Sequence, residues 1–427
     1  MVVIMKFKLG FGTGFKDIEI PDKNVINVLG ANDIEIEYRG NDSVLHALDN
    51  PIASKRLSEK VKAGQKVVIL TSDISRPMPT YEVLPPILDE LYSAGVKPSD
   101  ITLVFACGSH RHHSETEMRK LAGDRAWNEI RCVDSDPDDC INFGYTKHGT
   151  PVDITRVVAQ ADFRICLGNI EYHYFAGYSG GAKALMPGCS TPAAISYNHA
   201  MMVDPRCHAG NIDDNPLRAD LEEAASLCGL DYIVNVVLDE DKKIVYACAG
   251  DYIEAHREGC RFLDRMYKIR IDRKADIVIA ANSGAPKDAT LYQTQKALDN
   301  AKHAVRDGGT VILVGACNEG LGSKVFEEWM YEARKPEDLV ERLKKEFKLG
   351  GHKACAIALI MRYADIKLVS ELDDECVRAC FMEPYECLEA AFYDAMERYG
   401  EDASVLVMPY GGVTLPICDS GVADVFE

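Results

Sequence analysis

The stretch KVVILTSDISRPMPTYEVLPPILDELYSAGVKPSDITLVFAC, residues 66–107, contains two apolar runs on either side of a helical pattern. The runs Lys66–Leu70 and Ile101–Cys107 are continuous and apolar, which is typical of strands buried on both faces. The helical pattern between them covers Val83–Ala94. A strand, a helix and a second strand in this order predict a parallel sheet covered by helices.

The same alternation continues along the rest of the chain. Further strands are predicted at Phe163–Leu167, Ala275–Ala281, Thr310–Val314, Ile366–Ser370 and Ser404–Met408, and further helices at Pro192–Met202, Pro216–Leu227, Tyr252–Tyr267, Thr290–Arg306, Pro336–Lys348 and Tyr385–Tyr399. The predicted fold class is therefore α/β, with largely parallel sheets in two domains. A charged stretch at Lys268–Lys274 separates residues 1–270 from residues 275–411, and residues 412–427 form a tail that could pack on the first domain. Because ligands bind at the carboxyl ends of such strands, we expect the active site in the interdomain crevice.

The charge of the chain excludes one class of partner. Its 427 residues include 48 Lys and Arg against 67 Asp and Glu, a formal net charge of −19. Such a surface repels phosphate backbones, so nucleic-acid binding is not expected. No apolar run reaches the roughly 18 residues of a membrane span, and the first residues do not resemble a secretory signal. With 15 cysteines and no signal, the sequence predicts a cytoplasmic protein, and it leaves the oligomeric state open.

Two loops that follow predicted strands carry groups suited to chemistry. Asp73 and Arg76 flank a turn stiffened by prolines; the pair is either a surface ion pair or an anion site built on the guanidinium fork. The loop after Ile101–Cys107 contains His110, His112 and His113. Neighbouring residues rarely converge on one ion, so a single histidine acting as a general acid or base is favoured over a three-histidine metal site. For this loop taken alone, a solvated histidine without a chemical role is the simpler alternative.

The densest block, GNIEYHYFAGYSGGAKALMPG, spans residues 168–188. Its glycines would leave backbone N–H groups bare, which predicts a cradle for a phosphate. It is not a P-loop, because Ala184 stands where Ser or Thr is required. Lys183 is a candidate for a desolvated, nucleophilic amine, the alternative being a lysine that covers a glycine turn. Thr191 and Pro192 then open a helix that carries His199.

In the second half, Gln293 and Lys296 lie three residues apart on the helix that begins at Thr290, so they should share one face. A Gln–Lys face at a helix start suits a carboxylate or hydroxyl ligand, since the helix dipole adds positive potential there. The alternative for this pair is a solvated helix face.

Taken together and in order, these motifs resemble the nickel-pincer lactate racemase family. The resemblance rests on the Asp-x-x-Arg-Pro turn, the Gly-x-His-Arg loop, the His…Gly-x-x-Gly-Gly-Ala-Lys block, the helical histidine and the Tyr-Gln-x-x-Lys-Ala-Leu helix, and it spans about Asp73 to Lys296. The chain departs from the family at residues 282–286, where Gly-Gly-Tyr-Pro is missing, and neither Trp127 nor Trp329 can be placed as the substrate-side tryptophan. These departures leave lactate, another 2-hydroxy acid or a sugar acid open as the substrate.

The resemblance implies a pyridinium-3-thioamide-5-thiocarboxylic acid mononucleotide carrying nickel, bound covalently at Lys183. His199 would be the protein ligand of the metal, and the first domain would bind the cofactor. The implied acid/base pair is His110 and His173. The implied cofactor contacts are Thr71, Asp73, Tyr178, Ser179, Gly180 and Gly181, and the implied substrate contacts are Arg76, Tyr292, Gln293 and Lys296. Separate biosynthetic enzymes that build the cofactor would be partners.

The resemblance predicts an isomerase that racemises or epimerises a 2-hydroxy acid by proton-coupled hydride transfer. One histidine would take the hydroxyl proton while hydride leaves to the cofactor and returns to the other face, so no carbanion forms. One alternative is a catalytically silent protein of the same fold that binds or stores the cofactor. A dehydrogenase dependent on NAD is disfavoured, because no Gly-x-Gly-x-x-Gly turn joins a strand to a helix.

Overall fold

The computed structural model describes residues 3–418. Its strands are β1 (Ile4–Phe11), β2 (Gly14–Pro21), β3 (Val25–Val28), β4 (Val67–Ser72), β5 (Ile101–Ala106), β6 (Arg131–Asp134), β7 (Cys140–Tyr145), β8 (Pro151–Thr155), β9 (Phe163–Asn169), β10 (Tyr172–His173), β11 (Gly177–Tyr178), β12 (Tyr232–Leu238), β13 (Ile244–Gly250), β14 (Lys268–Ile271), β15 (Ala275–Ala281), β16 (Val305–Val314), β17 (Ala364–Val369), β18 (Glu383–Tyr385), β19 (Val405–Met408) and β20 (Leu415–Cys418). Its helices are α1 (Gly40–Asp49), α2 (Leu57–Lys60), α3 (Thr80–Ser93), α4 (Glu115–Glu129), α5 (Arg156–Ala159), α6 (Pro192–Ala200), α7 (Pro216–Cys228), α8 (Glu254–Tyr267), α9 (Leu291–Ala301), α10 (Lys324–Glu332), α11 (Pro336–Lys345), α12 (Gly351–Ile360), α13 (Asp374–Ala379) and α14 (Leu388–Tyr399). Short 3-10 turns occur at Asp22–Asn24, Pro98–Asp100, Gly181–Ala184 and Met201–Val203.

One compact unit, Ile34–Arg265, is built on a six-stranded sheet with the order β13-β12-β9-β4-β5-β6. All neighbours in this sheet are parallel except β12 and β13. Its middle strands β9 and β4 are almost entirely buried, as the continuous apolar runs predict. Side chains such as Ile69, Leu88 and Leu103 form the core between the sheet and its helices.

The other unit combines the residues up to Asp33 with those from Met266 onward. Its six-stranded sheet has the order β18-β17-β16-β15-β19-β3, with all strands parallel. β1 and β2 form an antiparallel hairpin whose buried residues Leu9, Ile18 and Ile20 join the core of this sheet. A parallel pair, β14 and β20, completes the unit.

This division differs from the predicted one, which placed residues 1–270 in a single domain. The first strands belong with the C-terminal part of the chain, because β3 pairs with β19, 377 or more positions later in the sequence, through partners such as Asn27 and Leu406. Of the predicted tail, residues 415–418 form β20 beside β14. Residues 419–427 lie outside the described part of the chain.

The predicted α/β class and each of the predicted strands and helices are confirmed, with shifts of a few residues at their ends. The helix predicted over Thr290–Arg306 ends at Ala301, because β16 begins at Val305. α12 was not predicted. It is buried on nearly every side, so its sequence lacks the alternation of polar and apolar residues at a helical period that identifies a surface helix. Within residues 3–418, no helix has the length and apolar character needed to cross a membrane.

Candidate active site

Three parallel neighbours in the sheet of residues 34–265 bring the predicted loops together. β9, β4 and β5 are adjacent, and the loops after them begin at Ile170, Asp73 and Cys107. Since the carboxyl ends of parallel strands meet at one edge of a sheet, the side chains of these loops are neighbours. The three loops are far apart in the sequence, but their side chains lie together at this edge of the sheet.

Asp73 pairs with His110, not with Arg76. Its Oδ2 lies 2.5 Å from His110 Nδ1, and both carboxylate oxygens accept hydrogen bonds from the Ser75 hydroxyl, at 2.8 and 3.0 Å. Burial opposes ionisation of Asp73, but the hydrogen bonds from His110 and Ser75 and the charge of Arg76 outweigh it, so the pKa of this carboxyl lies below its ordinary value. An ionised Asp73 accepts the Nδ1 proton of His110, and Nε2 of a neutral His110 is then the basic nitrogen.

Arg76 is exposed, and its backbone N–H closes the turn by donating to the Asp73 carbonyl at 3.1 Å. Among residues 3–418, its guanidinium is in no ion pair within 4.0 Å. The surface ion pair that the sequence left open as an alternative is thus not formed, and the guanidinium remains suited to an anion.

The other two histidines of the loop after β5 turn to Asp134, at the end of β6. His113 is buried and its Nδ1 lies 2.7 Å from Asp134 Oδ1, whereas His112 is exposed and lies 3.4 Å from Asp134 Oδ2. Cys107, His113 and Asp134 offer ligand atoms within 4.8 Å of one another. His110 is not a member of that group, so the three histidines do not share a site.

The ring of Phe175 lies against three candidate functional groups, those of His173, His199 and Lys183. Its ring centroid lies 4.5 Å from that of His173 and 4.8 Å from that of His199, both in edge-on geometry, and 5.8 Å from Lys183 Nζ. Two imidazoles and an amine from three different elements therefore surround one aromatic ring. No feature of the sequence pointed to Phe175, because an aromatic residue beside a turn is ordinarily part of a core.

The environment of His173 favours the neutral imidazole. Burial lowers the pKa of His173 well below its ordinary value of 6.5, and the positive charges of Lys183 and Arg76 lower it further. This ring is consequently in its basic form at neutral pH.

His199 is buried on α6 and is oriented by a polar network that the sequence did not reveal. Its Nδ1 lies 3.1 Å from Asn198 Oδ1, and Asn198 Nδ2 donates to Asp220 Oδ2 at 2.8 Å. The same carboxylate oxygen accepts from Thr150 Oγ1 at 2.7 Å. Since Asn198 directs its amide N–H₂ to Asp220, its oxygen faces the imidazole and holds the proton of His199 on Nδ1. The only sequence signal for the role of Asn198 is its position directly before His199.

The glycines of the block serve close packing. Gly177 and Gly181 have φ angles of 73° and 61°, and a Cβ on Gly177 would lie 2.0 Å from the Asn211 carbonyl oxygen. The Gly181 N–H donates to Asn235 Oδ1 at 2.7 Å, so the prediction of a bare phosphate-binding N–H is wrong at this position. Asn235 lies on β12, which pairs with β9. No local sequence pattern predicts its hydrogen bond with the Gly181 N–H.

Other residues predicted to touch a cofactor have structural partners. The Tyr178 hydroxyl donates to Asp264 at 2.8 Å, and the Ser179 hydroxyl donates to the Asn169 carbonyl at 2.7 Å. Thr71 Oγ1 lies 2.6 Å from Thr80 Oγ1 in the interior. The assignment of these residues to a cofactor stays a prediction.

Two buried basic side chains, the Arg218 guanidinium and the His256 imidazole, hold the backbone of this loop, and the sequence analysis missed both. Arg218 is fully buried on α7 and donates to the carbonyls of Ala176, at 3.1 Å, and Tyr178. His256 Nε2 lies 2.8 Å from the Ser179 carbonyl, which accepts its proton. Their positions in amphipathic helices gave no sign of this role.

In the other unit, α9 carries the predicted Gln–Lys face. Thr290 caps the helix by accepting the Gln293 N–H at 3.3 Å, and Gln293 and Lys296 are both exposed, as their spacing predicts. Tyr292 is half-buried, with Lys353 Nζ 4.1 Å from its ring centroid. The assignment of these three residues to a substrate stays a prediction.

Comparisons with known proteins agree on one family. A model of the lactate racemase N-terminal domain matches residues 11–210, and one of the lactate racemase C-terminal domain matches residues 271–415. The lactate racemase of Thermoanaerobacterium thermosaccharolyticum is 30% identical over 416 residues, 95% of this chain and 97% of that protein. The lactate racemase of Lactiplantibacillus plantarum is 33% identical over 381 residues, 87% and 89% of the two chains.

Solved structures give the same result for the fold. The lactate racemase apoprotein from T. thermosaccharolyticum superposes with a TM-score of 0.88 at 29% identity, covering 96% of this chain and 100% of that one. A crystal structure of a Thermotoga maritima protein shares the fold at a TM-score of 0.66 and 18% identity, over 90% of this chain and 100% of that one.

Proposed function

Since the chain belongs to the lactate racemase family and is an isomerase, we propose that it racemises or epimerises a 2-hydroxy acid, lactate or a larger one. The observation that carries this proposal is the pair of histidines His110 and His173, one paired with Asp73 and the other beside Lys183 and His199 on the ring of Phe175.

Two imidazoles are what inversion at a hydroxyl-bearing carbon requires. The hydroxyl lies on opposite sides in the two enantiomers, so one base must serve each side. In our proposal, Nε2 of His110 takes or returns the hydroxyl proton of one enantiomer, while Nδ1 stays bonded to Asp73. His173 does the same for the other enantiomer, and its lowered pKa supports this role because the neutral base is its populated form.

The residues around Phe175 fit the nickel-pincer mononucleotide of this family. An amine and an imidazole against one ring are the donor set for a group attached to Lys183 and ligated by His199. The bond from Asn198 fixes the proton of His199 on Nδ1, so a metal would bind at Nε2. When bound, such a group supplies an electrophilic carbon that can take the Cα hydride of the substrate and return it.

The substrate carboxylate needs a cation, and Arg76 offers an exposed, planar one next to the acid/base pair. Lys296, Tyr292 and Gln293 are proposed as further contacts. Holding the carboxylate and the hydroxyl together fixes the Cα between the two imidazoles, which is the positioning that the reaction needs.

The test uses protein produced together with the enzymes that build the cofactor. Pure enantiomers of lactate and of larger 2-hydroxy acids are incubated with it, and the products are separated by chiral chromatography. We expect the opposite configuration to appear for at least one acid, and we expect the protein to carry nickel and added mass on Lys183. With Lys183→Ala, we expect no conversion and no bound cofactor. Protein that carries nickel and a modified Lys183 but converts none of the acids would contradict the proposal.

The two histidines are tested separately. His110→Ala and His173→Ala should retain nickel and lower turnover by on the order of 10²–10⁴-fold, because each removes one proton acceptor. The exposed His112→Ala is the matched control from the same loop and should leave turnover unchanged. Turnover that survives in either of the first two variants would show that its assignment is wrong.

A further inference from the structure

His113 has no part in the proposed reaction, yet each polar atom of its ring and its backbone N–H is engaged. The side chain is 1% exposed. Its backbone N–H donates to Asp134 Oδ2 at 2.7 Å, and its Nδ1 lies 2.7 Å from Asp134 Oδ1. The remaining nitrogen, Nε2, lies 3.0 Å from the backbone nitrogen of Ile74.

These contacts determine the protonation of the ring. A backbone N–H can only donate, so Nε2 of His113 accepts the Ile74 N–H and carries no proton. The single proton of the neutral imidazole is then on Nδ1, where it is donated to Asp134. The ring therefore joins the carboxylate at the end of β6 to the backbone of the turn after β4.

That backbone amide belongs to the residue directly after Asp73. The Asp73 carboxylate holds His110 at 2.5 Å, and His110 comes from the same loop as His113. The loop after β5 thus makes two hydrogen bonds to the turn after β4. One joins His110 to Asp73, and the other joins His113 to the Ile74 amide. Two hydrogen bonds can fix both the position and the orientation of the Asp73 carboxylate, whereas a single hydrogen bond would leave its orientation free.

We propose that His113, held by Asp134, is a positioning residue that sets the geometry of the Asp73–His110 pair. The inference rests on the proposed function insofar as His110 exchanges the substrate proton. A misplacement of about 1 Å at such a base costs on the order of 10²-fold in rate, so a bond one residue away from Asp73 matters for catalysis.

A metal ion shared by Cys107, His113 and Asp134 does not account for this arrangement. Two ligand atoms that are each about 2.0–2.1 Å from a tetrahedral ion lie about 3.3 Å apart. The 2.7 Å between His113 Nδ1 and Asp134 Oδ1 is instead an ordinary hydrogen-bond length. The geometry of these two atoms is therefore that of an N–H···O hydrogen bond.

Two amide variants separate the two bonds of the ring. In His113→Gln, the side-chain oxygen reaches the position of Nε2 and can accept the Ile74 N–H, but the side-chain bond to Asp134 Oδ1 is lost, while the backbone N–H of residue 113 still donates to Asp134 Oδ2. In His113→Asn, the amide nitrogen takes the position of Nδ1 and can donate to Asp134, but the Ile74 N–H has no acceptor. The proposal predicts that the Gln variant resembles the wild type and that the Asn variant does not.

The first readout is the kinetics of the cofactor-loaded enzyme. We expect His113→Asn to lower kcat by on the order of 10²-fold with little change in KM, and His113→Gln to stay close to the wild type. Equal losses in both variants, or a greater loss in the Gln variant, would show that His113 only fills space or anchors Asp134 and would overturn the proposal.

The second readout needs neither cofactor nor substrate. In the apoprotein, the Nδ1 proton of His110 bonded to Asp73 should give a downfield proton resonance, assigned by its disappearance in His110→Asn. It should persist in His113→Gln and vanish or broaden in His113→Asn. Persistence in the Asn variant would contradict the proposal. If no 2-hydroxy acid were converted, this measurement would still decide the role of His113, so the two proposals fail separately.

Discussion

The imidazole of His173 shows how burial and several charged neighbours together set the pKa of one residue. Burial is the largest cause of its lowered pKa, and the charges of Lys183, Arg76, His199 and Arg218 act in the same direction. Lys183 is the first of these charges, so removing it should raise the pKa of His173 while leaving it below 6.5, because burial persists.

This prediction is checked on the apoprotein by following the His173 ring protons during a pH titration. Lys183→Ala should move the midpoint to higher pH. Lys147→Ala, which removes a charge from an exposed position of the same unit, should not. A midpoint unchanged by Lys183→Ala would mean that the amine does not act on the imidazole in solution.

Asp73 gives a second prediction at the scale of a residue. Its pKa in the folded chain lies below the ordinary 3.8, so its ionised form stabilises the fold. The contribution is complete at pH values well above 3.8, and it is lost as the pH falls from there through the folded pKa. In Asp73→Asn this part of the acid dependence should be missing.

Urea unfolding between pH 7 and pH 2.5 measures the effect. The difference in unfolding free energy between the wild type and Asp73→Asn should shrink as the pH falls through about 4. Asp241→Asn, in the exposed turn between β12 and β13, controls for the general loss of one negative charge. A pH-independent difference would exclude the proposed ionised state of Asp73.

At the scale of elements, α6 delivers His199 and depends on its first turn. Thr191 Oγ1 accepts the Ala194 N–H at 3.2 Å and donates to Asp153 Oδ2 at 3.1 Å, and Pro192 occupies the first helical position. The cap and the proline were both predictable from local sequence, since each satisfies a backbone requirement within four residues.

Removing this cap should weaken the unit measurably. Thr191→Ala should lower the free energy of unfolding by about 1 kcal/mol, whereas Thr191→Ser should retain most of it, because the hydroxyl still accepts the Ala194 N–H. Denaturant titrations of both variants give the comparison. If the two variants were equally stable, the helix would not depend on this hydrogen bond.

At the scale of the whole molecule, the two units differ in how the chain builds them. Residues 34–265 are one continuous segment with their own core, whereas the other unit needs residues from both ends of the chain. Leu9, Ile18 and Ile20 are essentially fully buried in that second core. Each such side chain contributes about 1.5–3 kcal/mol when buried, which is large beside the total stability of a domain.

Fragments should therefore behave unequally. Residues 34–265 alone should unfold cooperatively in a thermal melt followed by circular dichroism. Residues 266–427 alone should not, unless residues 1–33 are fused or added, because the hairpin and β3 supply a face of the core and an edge of the sheet. A cooperative melt of residues 266–427 without the N-terminal segment would show that this core does not require it.

The sequence by itself determined the class of fold, the strands and helices, and the candidate residues at strand ends. Apolar runs, caps and loop residues are local features, and their causes act within a few positions of the chain. Tertiary structure alone decided that Asp73 pairs with His110 and not with Arg76, that Phe175 collects His173, Lys183 and His199, and that β3 joins β19. These outcomes depend on which strands become neighbours in the sheets, and that choice is made by the burial of the whole core, which no short stretch of sequence contains.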